Sequence, residues 1–195
     1  MPLTTSAPQA PDTMSVAQLA RRQRLIDAVV ELVGEGRDED VQMKDIAERA
    51  DVALGTVYRY FSSKDHLLAA ALLEWAGGLD QRRVAPTGTG AGDRLAGTLH
   101  QALRAYRRQP TFARVLVFVA NSPDPYASQC FAQLGVVVFG TLTRSLDGVD
   151  AGRLDDVLRV VGAVWYHAMS EWVKGRMDLD QVTDLLDTSC HLLLG

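Results

Sequence analysis

A short segment around residue 58 carries hydroxyl, aromatic and basic side chains that could contact a nucleic acid. The strip consists of Gly55, Thr56, Tyr58, Arg59 and Tyr60. Hydroxyl groups suit phosphate oxygens, and an Arg guanidinium can donate to a phosphate or to a base edge. This mixture fits phosphate and base contacts better than it fits an ordinary solvated helix face. The segment therefore predicts a surface that contacts DNA.

Three short helical patterns would have to position this strip. Apolar residues recur at helical spacing over 17–33 and 42–50, and a third helical segment covers 54–61. Two short helices joined by a three-residue turn are the arrangement of a helix-turn-helix, whose second helix lies in the major groove. The small and apolar side chains that could let the two helices cross and fix their angle are Ala47, Ala50, Val52 and Val57.

The sequence from Ile46 to Leu68 resembles the DNA-binding signature of the TetR (tetracycline-repressor-like) family of transcriptional regulators. Its core reads Gly-Thr-Val-Tyr-Arg-Tyr-Phe-Ser-Ser-Lys over 55–64, and the resemblance extends over about 21–73. Residues 41–61 also resemble the KstR-like branch, the repressors of sterol-catabolism genes. The resemblance implies an all-α protein with an N-terminal three-helix helix-turn-helix DNA-binding domain and a C-terminal helical ligand-binding and dimerisation domain.

The resemblance also implies DNA contacts by individual residues. Thr56 and Tyr60 match positions that hold phosphate oxygens, while Tyr58 and Arg59 match positions that face the major groove. Lys64 matches a phosphate contact at the start of the next helix, where exposed backbone amides already favour an anion. The full set of predicted contacts is Gln42, Lys44, Gly55, Thr56, Tyr58, Arg59, Tyr60 and Lys64.

Two positions depart from the family's pattern. Many relatives have Gly where this chain has Asp51, and Ser or Thr where it has Ala53. Because Ala53 cannot cap the second helix, either Asp51 takes over or the helix start is looser by about 1 kcal/mol. We therefore expect neither residue to contact DNA.

For two parts of this region, the three helices and the basic residues at the start of the first, alternative interpretations are open. The three helices could be part of an ordinary bundle with Tyr58 and Tyr60 in its core, and for Phe61 a core position is the preferred interpretation. The basic residues that open the first helix could follow a phosphate strand or enter a minor groove, or they could simply be solvated. These residues are Arg21, Arg22 and Arg24.

The charge balance is unusual for a DNA-binding protein. The chain of 195 residues carries 20 basic and 24 acidic residues, and its 47% hydrophobic content is enough for a buried core. Residues 16–66 hold eight bases and ten acids. Acidity does not exclude DNA binding, because the face that carries the bases matters more than the total. It predicts weak non-specific affinity and a reliance on dimerisation and neutral donors.

The sequence carries no pattern of catalytic or metal-binding residues. The four histidines form no His-Glu-x-x-His motif, Cys130 and Cys190 are too far apart for a Cys-x-x-Cys site, and no Gly-x-Ser-x-Gly or Gly-rich phosphate loop occurs. We expect no enzyme activity, no cofactor and two reduced thiols. The alternative function is an all-helical interaction module or ligand-binding protein without DNA binding, which Asp51 and the acidic residues 38–40 would suit.

The rest of the chain predicts further helices and a simple domain order. Apolar periodicity indicates helices over 93–108, 111–120, 126–146, 151–176 and 179–194, although 115–119 and 136–139 are rich in residues that favour strands. The predicted domains are a disordered tail (1–15), the helix-turn-helix domain (16–66), a connecting helix (67–84) and a ligand-binding and dimerisation domain (85–195). Neither a signal peptide nor a membrane span is evident, so we expect a cytoplasmic protein.

The C-terminal half would bind a ligand and form a homodimer. The predicted function is a one-component repressor that binds a palindromic double-stranded operator and is released by a small hydrophobic effector, such as an acyl-CoA or a sterol-derived CoA thioester. The residues expected to line the ligand site are Phe112, Leu116, Phe131, Val138, Phe139, Leu142, Tyr166 and Met169. Those expected at the dimer interface are Leu154, Leu158, Val161, Trp165, Trp172, Val182 and Leu186. For each of these apolar residues, a position in filled core is the alternative.

Overall fold

The computed structural model describes residues 7–37, 40–81 and 90–195, and all regular secondary structure in these ranges is helical. After a 3-10 turn at Pro11–Thr13, the α-helices are α1 Val16–Gly34, α2 Met43–Arg49, α3 Leu54–Tyr60, α4 Lys64–Gln81, α5 Ala91–Arg108, α6 Pro110–Ala120, α7 Pro125–Thr143, α8 Ala151–Val173 and α9 Leu179–Leu194. The predicted all-α class is confirmed for the described ranges. Residues 115–119 and 136–139 lie inside α6 and α7, so their strand-like composition is overridden by packing.

The first described residues contradict part of the predicted disordered tail. The backbone N of Gln9 donates to the carbonyl oxygen of Arg59 at 3.1 Å. Ser15 caps α1, because its hydroxyl accepts from the N of Gln18 and the Gln18 side chain accepts from the N of Ser15. The disorder prediction is wrong for residues 7–15, since the helix cap and the contact with Arg59 order a segment whose composition alone is typical of disorder. Residues 1–6 lie outside the described ranges.

The first of two compact units contains Met1–Ala76 and Gln109–Leu134. Within it, α1 packs against α2 and α6, and α2 packs against α3. Trp75 stacks on Phe112 with ring centroids 4.4 Å apart, and its Nε1 donates to Oε1 of Gln109 at 2.6 Å. These contacts join α6 to α1 and α4, so this unit extends beyond the predicted domain of residues 16–66.

The second compact unit contains Gly77–Arg108 and Gly135–Gly195. Here α9 packs against both α5 and α8. The hydroxyls of Thr98 and Ser145 share a buried hydrogen bond of 2.6 Å, and Arg94 donates to the carbonyl oxygens of Ser145 and Asp147. The polar groups that follow α7 are thereby satisfied against α5.

Helix bounds differ from the prediction mainly at C-terminal ends. The α8 helix ends at Val173 rather than at residue 176, because Gly175 adopts a left-handed conformation with φ 69°. The α9 helix has the predicted bounds, and its N-cap Asp178 forms a capping box with Gln181. Residues 82–89, which include the end of the predicted connecting helix, lie outside the described ranges, as do residues 38 and 39 of the acidic loop.

Within the described ranges, no helix combines the length and the apolarity that crossing a membrane requires. The same ranges contain no group of three His, Cys, Asp or Glu side chains placed to hold a metal ion.

Candidate DNA-contacting surface

The α3 helix has one buried and one exposed face. Val57 and Tyr60, three residues apart, are buried and fix the helix against the rest of the first unit. Leu54, Gly55, Tyr58 and Arg59 are exposed, and Thr56 is half-buried; Leu54 and Tyr58 retain 42% and 43% of their surface. Most of the predicted strip therefore shares one surface. We call the exposed residues 54, 55, 58 and 59, together with Thr56, the α3 face.

Tyr60 does not belong to the α3 face. Its side chain is 1% exposed, and its hydroxyl oxygen is buried with no hydrogen-bond partner among the described residues. The prediction that Tyr60 contacts a phosphate is wrong for this structure. The physical reason is its helical position three residues after Val57, which turns the ring into the core.

Leu54 is the residue on this face that the sequence did not single out. It is the first residue of α3, and 42% of its surface is exposed. A leucine at the start of a second helix-turn-helix helix reads as core in a hydrophobic pattern, which is why periodicity missed it. Its spacing of three residues from the buried Val57 predicts a core position, so no sequence pattern signals its exposure.

The turn before α3 contains a strained residue. Asp51 has φ 51°, in the left-handed region that Gly adopts without cost. Ala53 is the N-cap residue of α3 and supplies no side-chain hydrogen bond, and Asp51 does not take over that role. The start of α3 is therefore uncapped, as one of the two expectations for Ala53 had it, and the presence of Gly at position 51 in many relatives has a conformational explanation.

Gln42 and Lys44 lie at the start of α2. Gln42 is exposed and its Nε2 donates to the carbonyl oxygen of Asp40 at 3.2 Å. The Lys44 side chain is 77% exposed and lies 3.7 Å from a Glu48 carboxylate oxygen. Both side chains are accessible, and their DNA contacts stay predictions.

Other basic residues of the first unit pair with acids. Arg37 forms an ion pair with Asp45, and its hydrogen bond is the main cause that lowers the pKa of that carboxyl. Arg49 binds Glu35 through two hydrogen bonds and Glu31 through a third. Arg37 and Arg49 are therefore partly neutralised by neighbouring carboxylates of the same unit.

The spacing of Ser62 and Asp65 predicts a capping box with Ser62 as the N-cap of α4, and the start of the helix is built differently. Ser63, not Ser62, caps the helix, because its Oγ accepts from the N of His66 at 3.1 Å. Ser62 and Asp65 make contacts outside the helix instead. Lys64 is the first residue of α4, is half-buried, and has its Nζ 5.7 Å from the centre of the Phe118 ring.

The basic cluster that opens α1 divides into different environments. The Arg22 guanidinium lies over the Phe61 ring, 5.0 Å from its centre, and burial lowers its pKa below the usual value. Arg24 is exposed and Arg21 is half-buried. Arg22 therefore supports the core at Phe61, whose predicted core position is confirmed by its 0% exposure.

The predicted ligand residues fall in both compact units. In the first, Phe112 is fully buried against Trp75, Leu116 is buried, and Phe131 is half-buried. In the second, Leu142 and Met169 are buried, and Tyr166 is half-buried. Val138 and Phe139 are 38% and 41% exposed, and their ligand contacts stay predictions. They lie on the outward side of α7, a direction that an all-apolar stretch of sequence does not specify.

Most of the predicted dimer residues are core of the second unit. The four that are at most 7% exposed are Leu158, Val161, Val182 and Leu186. Their assignment to a dimer interface is wrong, because α8 and α9 pack against each other within the chain. The half-buried residues of the set, Leu154, Trp165 and Trp172, stay predictions.

The chain matches two protein families and is similar in sequence to known proteins. Residues 25–71 match the family described as bacterial regulatory proteins, tetR family, and residues 88–193 match the tetracyclin repressor-like C-terminal domain. The chain is 35% identical over 187 residues to the HTH-type transcriptional repressor KstR of Rhodococcus jostii (strain RHA1), covering 94% of this chain and 87% of that protein. It is 32% identical to KstR of Mycobacterium tuberculosis over 98% of this chain and 94% of that protein.

Solved structures share the fold. A TetR transcriptional regulator from Rhodococcus sp. RHA1 aligns with a TM-score of 0.79 at 23% identity, over 91% of this chain and 97% of that one. Bacillus subtilis FadR in complex with stearoyl-CoA aligns with a TM-score of 0.62 at 20% identity, over 89% and 97% of the chains. Thermus thermophilus FadR in complex with lauroyl-CoA aligns with a TM-score of 0.66 at 19% identity, over 88% and 92%.

Proposed function

Because the chain belongs to the tetR family of bacterial regulatory proteins and is a DNA-binding transcriptional repressor rather than an enzyme, we propose that two copies bind a palindromic operator through their α3 faces. We further propose that a hydrophobic acyl thioester of CoA releases them. The observation that carries the proposal is the α3 face itself. It is exposed opposite the buried Val57 and Tyr60, so the helix is held by one side and free to enter a groove on the other.

Each residue of the α3 face has a role that suits its chemistry. Arg59 can donate two hydrogen bonds to a guanine edge or to a phosphate, and Thr56 and Tyr58 offer hydroxyls to phosphate oxygens. Leu54 offers an apolar contact to a thymine methyl group. Gly55 has no heavy atom within 4 Å of the place a Cβ would take, so the chain's own packing does not require glycine there. Close approach of a DNA backbone would.

A second copy of the chain is needed because one short helix contacts too few base pairs for specific binding. The second unit exposes large apolar side chains that could meet a partner copy, namely Val136, Val138, Phe139, Val160 and Leu192. Phe139 of α7 lies beside Gly162 of α8, where an added Cβ would come within 3.5 Å of its ring. We propose that this surface of α7 and α8 joins the half-buried Leu154, Trp165 and Trp172 in the dimer interface.

The effector proposal rests on chemistry that several observations share. The curated relatives are KstR repressors, and two proteins with the same fold hold stearoyl-CoA and lauroyl-CoA. The predicted ligand residues of the second unit that are buried or half-buried are apolar or aromatic, as an acyl chain requires: Leu142, Tyr166 and Met169. Arg104, Arg107 and Arg108 are exposed on α5 and could pair with the phosphates of CoA.

The test is the affinity of wild type and of Arg59→Ala for a palindromic duplex selected from a random pool with the wild-type protein. We expect Arg59→Ala to weaken binding at least tenfold, the loss of about one bidentate contact per half-site. Arg159→Ala, at an exposed arginine of α8 in the second unit, is the matched control and should bind like wild type. If Arg59→Ala retains full affinity, the α3 face is not the DNA-contacting surface.

The effector is tested on the same complex with added lauroyl-CoA, stearoyl-CoA and a sterol-derived CoA thioester. Release of the duplex by any of the three at micromolar concentration, but not by free CoA, supports the proposal. Release by free CoA, or by none of the three thioesters, contradicts it.

A further inference from the structure

We propose that Asp124 is a positioning residue for operator binding: through Ser62 and Ser63 it fixes the start of α4 and thereby the place of Lys64. The proposal rests on the DNA contact proposed for Lys64. The residues that carry it are Ser62, Ser63, Asp65, Ser122 and Asp124, which we call the α4 clasp. All of them lie in the first compact unit.

The two carboxylate oxygens of Asp124 serve different helices. Oδ1 accepts from the backbone N of Tyr126 and of Ala127, at 2.8 and 3.2 Å, and so caps α7. Oδ2 accepts from the hydroxyls of Ser62 and Ser63, at 2.9 and 2.5 Å. One side chain therefore ties the start of α7 to the start of α4, two segments about sixty residues apart in sequence.

A second tie runs beside the first. The Ser122 hydroxyl donates to Oδ2 of Asp65 at 2.5 Å and accepts from the backbone N of Asp124 at 3.2 Å. Between the two ties lies Lys64, whose Nζ is 5.7 Å from the centre of the Phe118 ring at the end of α6. The end of α6 and the loop after it thus contact every residue from Ser62 to Asp65.

His66 extends the clasp into the core. Its ring meets the edge of Phe61 at 5.0 Å between centroids and stacks on Tyr126 at 5.4 Å. Its Nδ1 accepts from the backbone N of Ser62 at 3.2 Å. Burial lowers the pKa of His66 to about 4, so the ring is neutral at pH 7 and keeps this acceptor role. The ring contacts of His66 are a further constraint on the first turn of α4.

Asp124 remains a carboxylate in this setting. Burial would raise its pKa, but the hydrogen bonds from Ser63, Ser62 and the backbone of Ala127 and Tyr126 outweigh that effect and lower the pKa. Hydrogen bonds to an ionised acceptor are stronger than hydrogen bonds to a neutral one. The bonds to the Asp124 carboxylate therefore fix both the distance and the direction of the side chains in the α4 clasp.

The hydrogen bonds of the α4 clasp do more than cap the two helices. Ser63 caps α4 and Oδ1 of Asp124 caps α7, so the hydroxyls of Ser62 and Ser122 are not needed for these two caps. What they add is the relative placement of the two helix starts. A phosphate contact by Lys64 requires the first turn of α4 to keep its position, because a displacement of about 1 Å is enough to lose a directed contact.

The experiment compares wild type, Ser62→Ala/Ser122→Ala, Lys64→Ala and the triple variant on the duplex selected with the wild-type protein. The clasp variant keeps both helix caps, and we expect it to bind about tenfold more weakly. The slope of log K against log salt should also fall by about one for each Lys64 that loses its phosphate. Lys64→Ala should show the same two changes, and the triple variant should be no weaker than Lys64→Ala.

Two further variants separate positioning from stability. Asp178→Ala removes the N-cap of α9 in the second unit, and it should lower the melting temperature without changing the affinity or the salt slope. Ser62→Thr keeps the hydroxyl and should restore affinity in the single-site background, where Ser62→Ala weakens it about threefold.

Three results would overturn the proposal. The clasp variant could bind like wild type while Lys64→Ala binds weakly; the losses of the clasp variant and Lys64→Ala could multiply in the triple variant; or Asp178→Ala could lose affinity to the same extent. A wild-type chain that selects no duplex at all would instead reject the proposed function, and the clasp with it.

Discussion

The Arg49 guanidinium of α2 donates two hydrogen bonds, of 2.9 and 3.0 Å, to the two carboxylate oxygens of Glu35, just beyond the end of α1. The same guanidinium reaches Glu31 at 3.2 Å. Such a paired geometry fixes direction as well as distance. The α2 helix has only seven residues and could not persist alone, so this tie and its apolar contacts hold it in place for α3.

We predict that Arg49→Ala lowers the melting temperature at pH 7, and that Arg49→Lys lowers it by nearly as much because Lys cannot form the paired contact. The effect should shrink in 1 M salt, since the groups are exposed to solvent. Hydrogen bonding to Arg49 lowers the pKa of Glu35. The stabilisation is therefore present above the ordinary Glu pKa and is lost as the pH falls through the lowered value. Equal gaps between wild type and Arg49→Ala at pH 7 and pH 2 would contradict this account.

We predict that Asp51→Gly stabilises the fold by up to about 1 kcal/mol, because glycine adopts φ 51° without the steric cost that a Cβ brings. Asp51→Asn keeps the Cβ and should leave stability nearly unchanged. Both variants remove a negative charge near the DNA, so both should bind the operator more tightly at low salt. Urea unfolding and DNA titrations at two salt concentrations measure the two effects separately. A stability gain in Asp51→Asn equal to that in Asp51→Gly would show that charge, not conformation, is responsible.

We predict opposite results for two tyrosines of α3. Tyr60→Phe removes a buried hydroxyl that has no partner among the described residues, so stability should stay constant or rise by up to about 1 kcal/mol, with operator affinity unchanged. Tyr58→Phe removes an exposed hydroxyl of the α3 face and should weaken operator binding severalfold without changing stability. A loss of operator affinity in Tyr60→Phe would contradict this prediction and would support the phosphate contact that the sequence predicts for Tyr60.

We predict that His66 makes the first unit sensitive to mild acid. The folded pKa is about 4 and the unfolded value is 6.5. The neutral ring is favoured in the folded state, so its stabilisation is complete above pH 6.5 and is lost as the pH falls to 4, by roughly 3 kcal/mol. His66→Asn offers an amide oxygen in place of Nδ1 and should flatten the stability profile between pH 6.5 and 4. An unchanged profile in that variant would assign the acid sensitivity to other groups.

The sequence predicts a helix well where its local signal is strong. The α9 helix follows Asp178, a good N-cap, and carries regularly spaced apolar residues, so its predicted bounds match. The ordered segment before α1 is different, since its contact with Arg59 is made by a backbone N that no side-chain pattern reveals.

The sequence predicts less well which apolar side chains are exposed, because a stripe of apolar residues does not specify which element packs against it. Val160 and Val161 are neighbours on α8, yet the first is 44% exposed and the second 1%. Likewise the spacing of Ser62 and Asp65 predicts Ser62 as the cap of α4, whereas Ser63 caps the helix and the Ser62 hydroxyl donates to Asp124. Which side of a helix faces another helix is set by residues distant in sequence, and single-chain periodicity does not contain that information.

The central claim is that two copies of the α3 face bind two half-sites of one duplex. It is tested most directly by titrating wild-type protein into the selected palindromic duplex and into a duplex in which one half-site has been scrambled. The account predicts two chains per palindromic duplex, affinity that falls steeply with salt, and at least a hundredfold weaker binding to the single half-site. One chain per duplex, with equal affinity for both duplexes, would contradict it.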